Sequence, residues 1–245
     1  MNTSSNGYVL GFAVTVCVAM STMLAFTSNS LSELQAAAKE FDRQKNVMVA
    51  GGLIQEGDAR PRKELEAIYQ KQVRTQIVDL QSGDFDAGKT PASVEAIKDP
   101  KERARYRPVA VALDADGKET GLILPIQCKG LWGPMFGYLA LDRDANHVRG
   151  ITFYAHKETP GLGGEVDNPA WKEMWKGKTV LGAGDALVGI TVKKGKVDAA
   201  VPAEEQTYVD GLSGATITSN GVTKGVRAEL EAWKPLLNKY WAKKN

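Results

Sequence analysis

Pro108 to Ile126 reads PVAVALDADGKETGLILPI. Val109, Val111 and Leu113 alternate with small residues, which is the two-residue period of a half-buried strand. Asp116-Gly117 then marks a turn before a second strand from Gly121 to Ile126. The same pattern continues downstream. Trp132 to Leu141 and Val148 to Tyr154 form another strand pair, joined by the turn-rich Asp142 to Asn146, and Leu187 to Val192 reads as a further strand. Between them Asn168-Pro169 is a helix start, an N-cap residue followed by proline at the first helical position. The chain closes with Val222, Val226, Leu230, Trp233, Leu237 and Tyr240 recurring three or four apart, a helix that Pro235 is placed to kink and that Ser219 or Asn220 can cap. Upstream, Pro61 to Val73 reads as a helix with Leu65 and Ile68 on one face. Strands paired by short turns, with helices around them, predict an α+β class: a mainly antiparallel sheet flanked by helices.

The N-terminus is different in kind. Tyr8 to Phe26 holds no charged residue, and the first Lys, Arg, Asp or Glu is Glu33. As a helix this run is about 28 Å long, close to the hydrocarbon thickness of a bilayer. A cleavable signal peptide carries a positive leader and a shorter apolar core, so a retained single-pass anchor is expected instead. Ser30 and Glu33 have capping-box spacing, and Leu31, Leu34, Ala38 and Phe41 continue a helical pattern up to Gly51-Gly52. The expected organisation is an anchor over residues 1–30, a stalk helix and helical lead-in over 31–105, and one domain over 106–245. Charge alone would put the downstream flank in the cytoplasm, since no Lys or Arg precedes the anchor.

Composition removes several functions. A net charge of +2 over 245 residues, without a basic stripe interleaved with aromatics, gives no case for nucleic acid. Two cysteines and two scattered histidines cannot build a tetrahedral metal site, and Cys17 sits in the apolar run, away from any pairing with Cys128. Gly83 to Thr90, GDFDAGKT, satisfies the Walker A pattern, but Asp84 and Asp86 would put two carboxylates where phosphate charge must sit. Gly211 to Ala215 nearly matches a nucleophile elbow. Both histidines precede Ser213, however, whereas a hydrolase of that fold needs its histidine after the serine.

Two loops remain. Asp210 to Thr218 reads DGLSGATIT: Ser213, Gly214 and Ala215 let the backbone approach a bulky ligand, and Thr216 precedes the terminal helix. A phosphate at Thr216 would meet the unpaired N–H groups of a helix N-terminus, with hydroxyls from Ser213, Thr218 and Ser219 in support. On local chemistry alone this reading and that of a plain Gly/Ser loop ahead of a capped helix stand level. The second loop, His156 to Gly164, reads HKETPGLGG, and its proline and glycines impose a tight turn with exposed amides, suited to a planar heterocycle or to a structural turn.

Together the two loops resemble the FMN-binding domain family of ion-translocating oxidoreductases, whose flavinylation motif is an Asp, then Ser-Gly-Ala-Thr, then a hydroxyl residue. The resemblance covers nearly the whole chain. KGLWGPMFGYLAL from Lys129 and the later NPAWKEMWKGK look like the C subunits of sodium-translocating NADH:quinone oxidoreductases, with the G subunits of the related electron-transport complex as the alternative. The resemblance implies FMN esterified through its phosphate to Thr216 by a flavin transferase. It implies contacts to the cofactor from Ser213, Gly214, Ala215, Thr218, Ser219, Glu158, Thr159, Gly161, Leu162 and Gly163. Trp132 is open between covering one face of the ring and packing in the core, and His156 is given no catalytic role. Further implications are a six-subunit complex that carries electrons from NADH to ubiquinone while exporting sodium, an inner-membrane location, and a soluble domain on the periplasmic side. A non-redox exported FMN-binding module is the competing function.

Overall fold

The computed structural model describes residues 6–182 and 186–242. It contains two compact units, one up to Asp42 and one from Arg43 onward. The first is the greater part of one continuous helix, α1 (Asn6–Ala50), which is long and apolar enough to cross a membrane. Its hydroxyls are satisfied within the helix: Thr15, Thr22, Thr27 and Ser30 donate to the carbonyls of Gly11, Val18, Met23 and Phe26. Such bonding keeps these side-chain hydroxyls paired in a medium without water. The capping box expected at Ser30 is therefore not formed, because Ser30 bonds backwards inside a helix that has no break there.

The second unit is built on a six-stranded, wholly antiparallel sheet in the order β2-β1-β3-β4-β5-β6. Its strands are β1 (Val73–Asp79), β2 (Asp84–Phe85), β3 (Tyr106–Leu113), β4 (Glu119–Lys129), β5 (Pro134–Asp142) and β6 (Val148–Ala155). Strands β3 to β6 follow the alternation read from the sequence. β1 and β2 correct it, since both lie in the stretch read as a helical lead-in. Helix α2 (Arg62–Gln72) passes straight into Val73 with no Gly or Pro between, and VRTQIVD shows no clean alternation. Two short helices, α3 (Pro91–Glu95) and α4 (Pro100–Arg105), lead into β3.

Gly83 to Thr90 forms a tight turn, the short strand β2 and a helix cap. Gly83 holds φ +72° and lies so close to Pro235 that a Cβ would sit 2.2 Å from its carbonyl oxygen. Asp84 pairs with Lys239, Asp86 accepts from the Gly88 amide, Lys89 lies 4.5 Å from the Tyr106 ring centroid, and Thr90 caps α3.

After β6 come a 3₁₀ turn (Gly163–Asp167) and α5 (Pro169–Glu173), capped as expected by Asn168, whose Oδ1 accepts from the Ala170 amide. The strand expected over Leu187–Val192 shortens to β7 (Thr191–Val192), which pairs in parallel with β8 (Tyr208–Val209) after α6 (Pro202–Thr207); Leu187 makes only an isolated bridge to Leu181. The closing helix, α7 (Thr216–Trp241), begins earlier than expected, at Thr216, and carries Pro235 within it.

Strand alternation sorts the core into two faces. Leu122, Leu124, Ile126 and Cys128 of β4 pack with Val222, Val226, Leu230, Trp233 and Leu237 of α7. On the opposite face the last turn of α1 buries Val47, Met48 and Ala50, and Gly51 abuts Ile123. α7 reaches β4 through glycines, because a Cβ on Gly221 would lie 1.9 Å from the Lys129 carbonyl oxygen and one on Gly225 would meet Cys128. This contact puts the first turn of α7 beside the end of β4.

Candidate functional site

The loop before α7 is held from behind. Asp210 Oδ1 accepts from the Val197 amide at 2.7 Å, and its carbonyl accepts from Trp171 Nε1 at 2.9 Å. Gly211 runs so close to Lys193 that a Cβ would sit 2.1 Å from its carbonyl oxygen. Gly214 adopts φ +69°, a left-handed conformation that side chains disfavour, and passes close to Leu162. Ala215 is the N-cap and supplies no side-chain oxygen, so no cap side chain covers the first turn of a 26-residue helix. The N–H groups of that turn, and the positive end of the helix dipole, therefore make a start of the kind that suits an anion.

The second wall is the loop after β6. Leu162 and Gly164 both donate their amides to the Thr159 carbonyl, at 3.1 and 2.9 Å, which closes a tight turn with Gly161 at φ +77°. His156 fastens its base: Nδ1 accepts from the Glu158 amide at 3.2 Å, which leaves Nε2 to donate to Asp167 at 2.8 Å. His156 is thus a bonded structural histidine. The third wall is the β4–β5 connection, Gly130 to Gly133, closed by the Gly130 amide on the Gly133 carbonyl at 2.8 Å.

These walls enclose a cavity of 290 Å³ lined by Leu131, Trp132, Glu158, Thr159, Leu162, Gly163 and Gly214 to Thr218. That volume sits at the lower edge of small-ligand sites, so a nucleotide-sized ligand would fit with part of it outside. Nine residues expected at the site line it: Trp132, Glu158, Thr159, Leu162, Gly163, Gly214, Ala215, Thr216 and Thr218. Trp132 is 64% exposed, which excludes the core-packing alternative.

Three expected contacts do not reach the cavity wall. Ser219 is buried and its hydroxyl accepts from the Leu212 amide at 3.2 Å; it lies inside α7, not at its cap, and braces the loop from beneath. Ser213 is exposed and outside the lining, and Gly161 serves the turn's backbone geometry from outside it as well. Thr218 does line the cavity, but it is 1% exposed and its hydroxyl is committed to Glu158, so it cannot supplement a phosphate. Leu131 and Ile217 escape sequence reasoning, and both are exposed apolar residues on the cavity lining. The only sequence signal for them is an apolar residue in a loop or at a helix start with no buried partner to expect.

Glu158 is the one buried acid of the site, at 7% exposed. Oε1 accepts from the Trp132 amide at 2.8 Å and Oε2 from the Thr218 hydroxyl at 2.5 Å. Burial pushes its carboxyl up, yet the bond from the Thr218 hydroxyl and those from the Trp132 and Leu131 amides outweigh burial and hold it below the ordinary glutamate value.

Residues 130–231, which include every part of this cavity, match the FMN-binding domain family. The chain is 40% identical over 240 residues to the C subunit of the Na(+)-translocating NADH-quinone reductase of Pseudomonas aeruginosa, with 90% of each chain covered. It is 35% identical to the corresponding protein of Pasteurella multocida, covering 92% of this chain and 90% of that one. The chain belongs to the family of C subunits of the Na(+)-translocating NADH-quinone reductases. Crystal structures of family members agree with the fold. NqrC of Shewanella oneidensis superposes with a TM-score of 0.70 at 27% identity, covering 84% of this chain and 99% of that one. The C subunit of Parabacteroides distasonis gives 0.67 at 30% identity, with 84% and 96% covered. The α+β architecture, an apolar N-terminal helix followed by an antiparallel sheet flanked by helices, is that of this family.

Proposed function

We propose that this chain is the FMN-carrying subunit of a membrane-bound, sodium-exporting NADH:quinone reductase, and that it holds the cofactor as a phosphoester on Thr216. The observation that carries the proposal is the uncapped start of α7: Thr216 is its first residue, exposed, on the wall of a cavity within the FMN-binding domain match. An FMN phosphate fits there. Its charge would face the open N–H groups and dipole of a long helix, and no acidic side chain of the lining is free to oppose it, since Glu158 is occupied by Trp132 and Thr218. Attachment by a flavin transferase would join Thr216 Oγ1 to the FMN phosphorus of FAD, release AMP and give up the hydroxyl proton.

FMN supplies the electron-transfer chemistry when bound; the chain supplies position and surroundings. Trp132 and Leu162 provide exposed apolar surface on two walls for the ring system, and the Thr159 turn keeps the Leu162 wall stiff. Ala215 and Gly214 keep the backbone low so that the ligand approaches the helix end. α1 anchors the chain, with the flavin domain proposed on the periplasmic side, and a covalent bond there prevents loss of a cofactor that no cytoplasmic pool would replace. The remaining members of the six-subunit complex would supply NADH oxidation, quinone reduction and the sodium path. α1 itself carries no ionisable residue between Tyr8 and Phe26 apart from Tyr8 and Cys17, which gives little basis for conducting an ion.

The test is in-gel fluorescence under ultraviolet light after denaturing electrophoresis, comparing the full chain with Thr216→Leu, each co-expressed with the transferase. A fluorescent band absent from Thr216→Leu is expected. A band that persists moves the attachment elsewhere. No band in either supports a module that holds FMN loosely.

A further inference from the structure

Resting on the proposed attachment at Thr216, we infer that Glu158 is a positioning residue whose buried carboxylate ties the three walls of the cavity together and so presents the Thr216 hydroxyl for flavin attachment. Each wall contributes one element to a single knot. The β4–β5 connection sends the Trp132 amide to Oε1, α7 sends the Thr218 hydroxyl to Oε2, and the loop after β6 provides Glu158 itself. Two glycines make the room. A Cβ on Gly130 would lie 2.5 Å from Oε1, and one on Gly163 would lie 2.3 Å from Oε2 and 2.8 Å from the Thr218 hydroxyl. A carboxylate buried this deeply is tolerated only while it is fully bonded, so the knot is all or nothing. Thr218 lies two residues from Thr216 on the first turn of α7, and Trp132 forms the facing wall. Fixing both to one group fixes the width of the cleft into which the Thr216 hydroxyl opens. On sequence alone Glu158 is expected to face the flavin; the structure turns both of its oxygens to the protein instead.

The test uses the full chain purified without flavin, then supplied with FAD and the transferase. Initial rates of attachment are measured for wild type, Thr218→Val, Thr218→Ser and Glu158→Gln. Thr218→Val keeps shape and removes only the hydroxyl, so it tests the knot even if Glu158→Gln folds poorly. In parallel, acrylamide quenching of Trp132 fluorescence in the flavin-free protein reports the facing wall. Trp132 is the one exposed tryptophan among the described residues, and Trp132→Phe defines its share of the signal. Thr218→Val and Glu158→Gln are expected to slow attachment about tenfold or more, the effect of losing a hydrogen bond to a charged group, and to raise Trp132 quenching. Thr218→Ser is expected to match wild type. Attachment within twofold of wild type in Thr218→Val, or equal slowing in Thr218→Ser, or quenching unchanged in both disruptive variants, overturns the inference. Absence of flavin on wild type itself overturns the attachment reading on which the inference rests.

Discussion

Gly163→Ala puts a methyl group into the most crowded point of the site. Its Cβ would stand 2.3 Å from Glu158 Oε2, 2.8 Å from the Thr218 hydroxyl and 3.1 Å from Glu158 Cβ. A glutamate carboxylate is the end of a flexible chain and can swing away. Doing so breaks the 2.5 Å bond from Thr218 and misaligns the 2.8 Å bond from the Trp132 amide. A bond to a charged group contributes about 1.5–3 kcal/mol, so losing one outright and weakening the other should cost about 2–4 kcal/mol. For a unit of this size that corresponds to a drop in Tm of about 4–16 °C. Gly161→Ala is the internal control. It sits at φ +77° with open space around it, so its cost is backbone strain of about 1 kcal/mol and it touches no part of the Glu158 knot. Thermal unfolding followed by circular dichroism measures both. If Gly163→Ala loses no more stability than Gly161→Ala, the carboxylate is not held as described.

Gly221→Ala should be worse tolerated than either, because the added Cβ meets backbone, the Lys129 carbonyl oxygen at 1.9 Å, and α7 must lift from β4. We expect a loss of about 3 kcal/mol or more, or failure to accumulate folded protein, checked by soluble yield and unfolding temperature. Asp79 is predicted to set part of the acid response. The Arg105 side chain beside it lowers its carboxyl from 3.8 to about 2, against the push of burial. A depressed carboxyl stabilises the fold above its unfolded value and loses that contribution as pH falls through its folded value. Wild type should therefore exceed Asp79→Asn by about 1–2 kcal/mol at neutral pH, discounting for the partly exposed Arg105, and the gap should close between about pH 4 and pH 2. Urea unfolding across that range checks it.

Much of this molecule is legible in the sequence because its patterns are local. The alternation of Val109, Val111 and Leu113, the Asn168-Pro169 helix start and the three-or-four spacing of Val222 to Leu237 each follow from backbone geometry and side-chain burial within one element. What escapes depends on partners distant in sequence. β1 joins the sheet because β3 pairs with it, not because VRTQIVD alternates, and a pattern within one segment carries no record of that pairing. The shortened strand β7 likewise exists through a later segment, Thr191 and Val192 pairing with Tyr208 and Val209, while Leu187 makes only an isolated bridge to Leu181. At the site, glycines of DGLSGATIT and HKETPGLGG lie where the backbone runs close to other protein atoms, as Gly211 does at Lys193 and Gly163 at Glu158. Ser219 and Thr218 are two of three hydroxyls read as phosphate donors, yet both point into the protein. Their direction is set by where α7 begins, at Thr216 and not at Ser219, and the missing cap side chain at Ala215 is what makes that start hard to read.

Intact-mass spectrometry of the full chain matured with the transferase, followed by peptide mapping, tests the central claim most directly. The account predicts one adduct with the mass of FMN less one water, on the peptide containing Thr216, and its loss in Thr216→Val. The bare polypeptide mass in the wild type, or an adduct on any other residue, would contradict it.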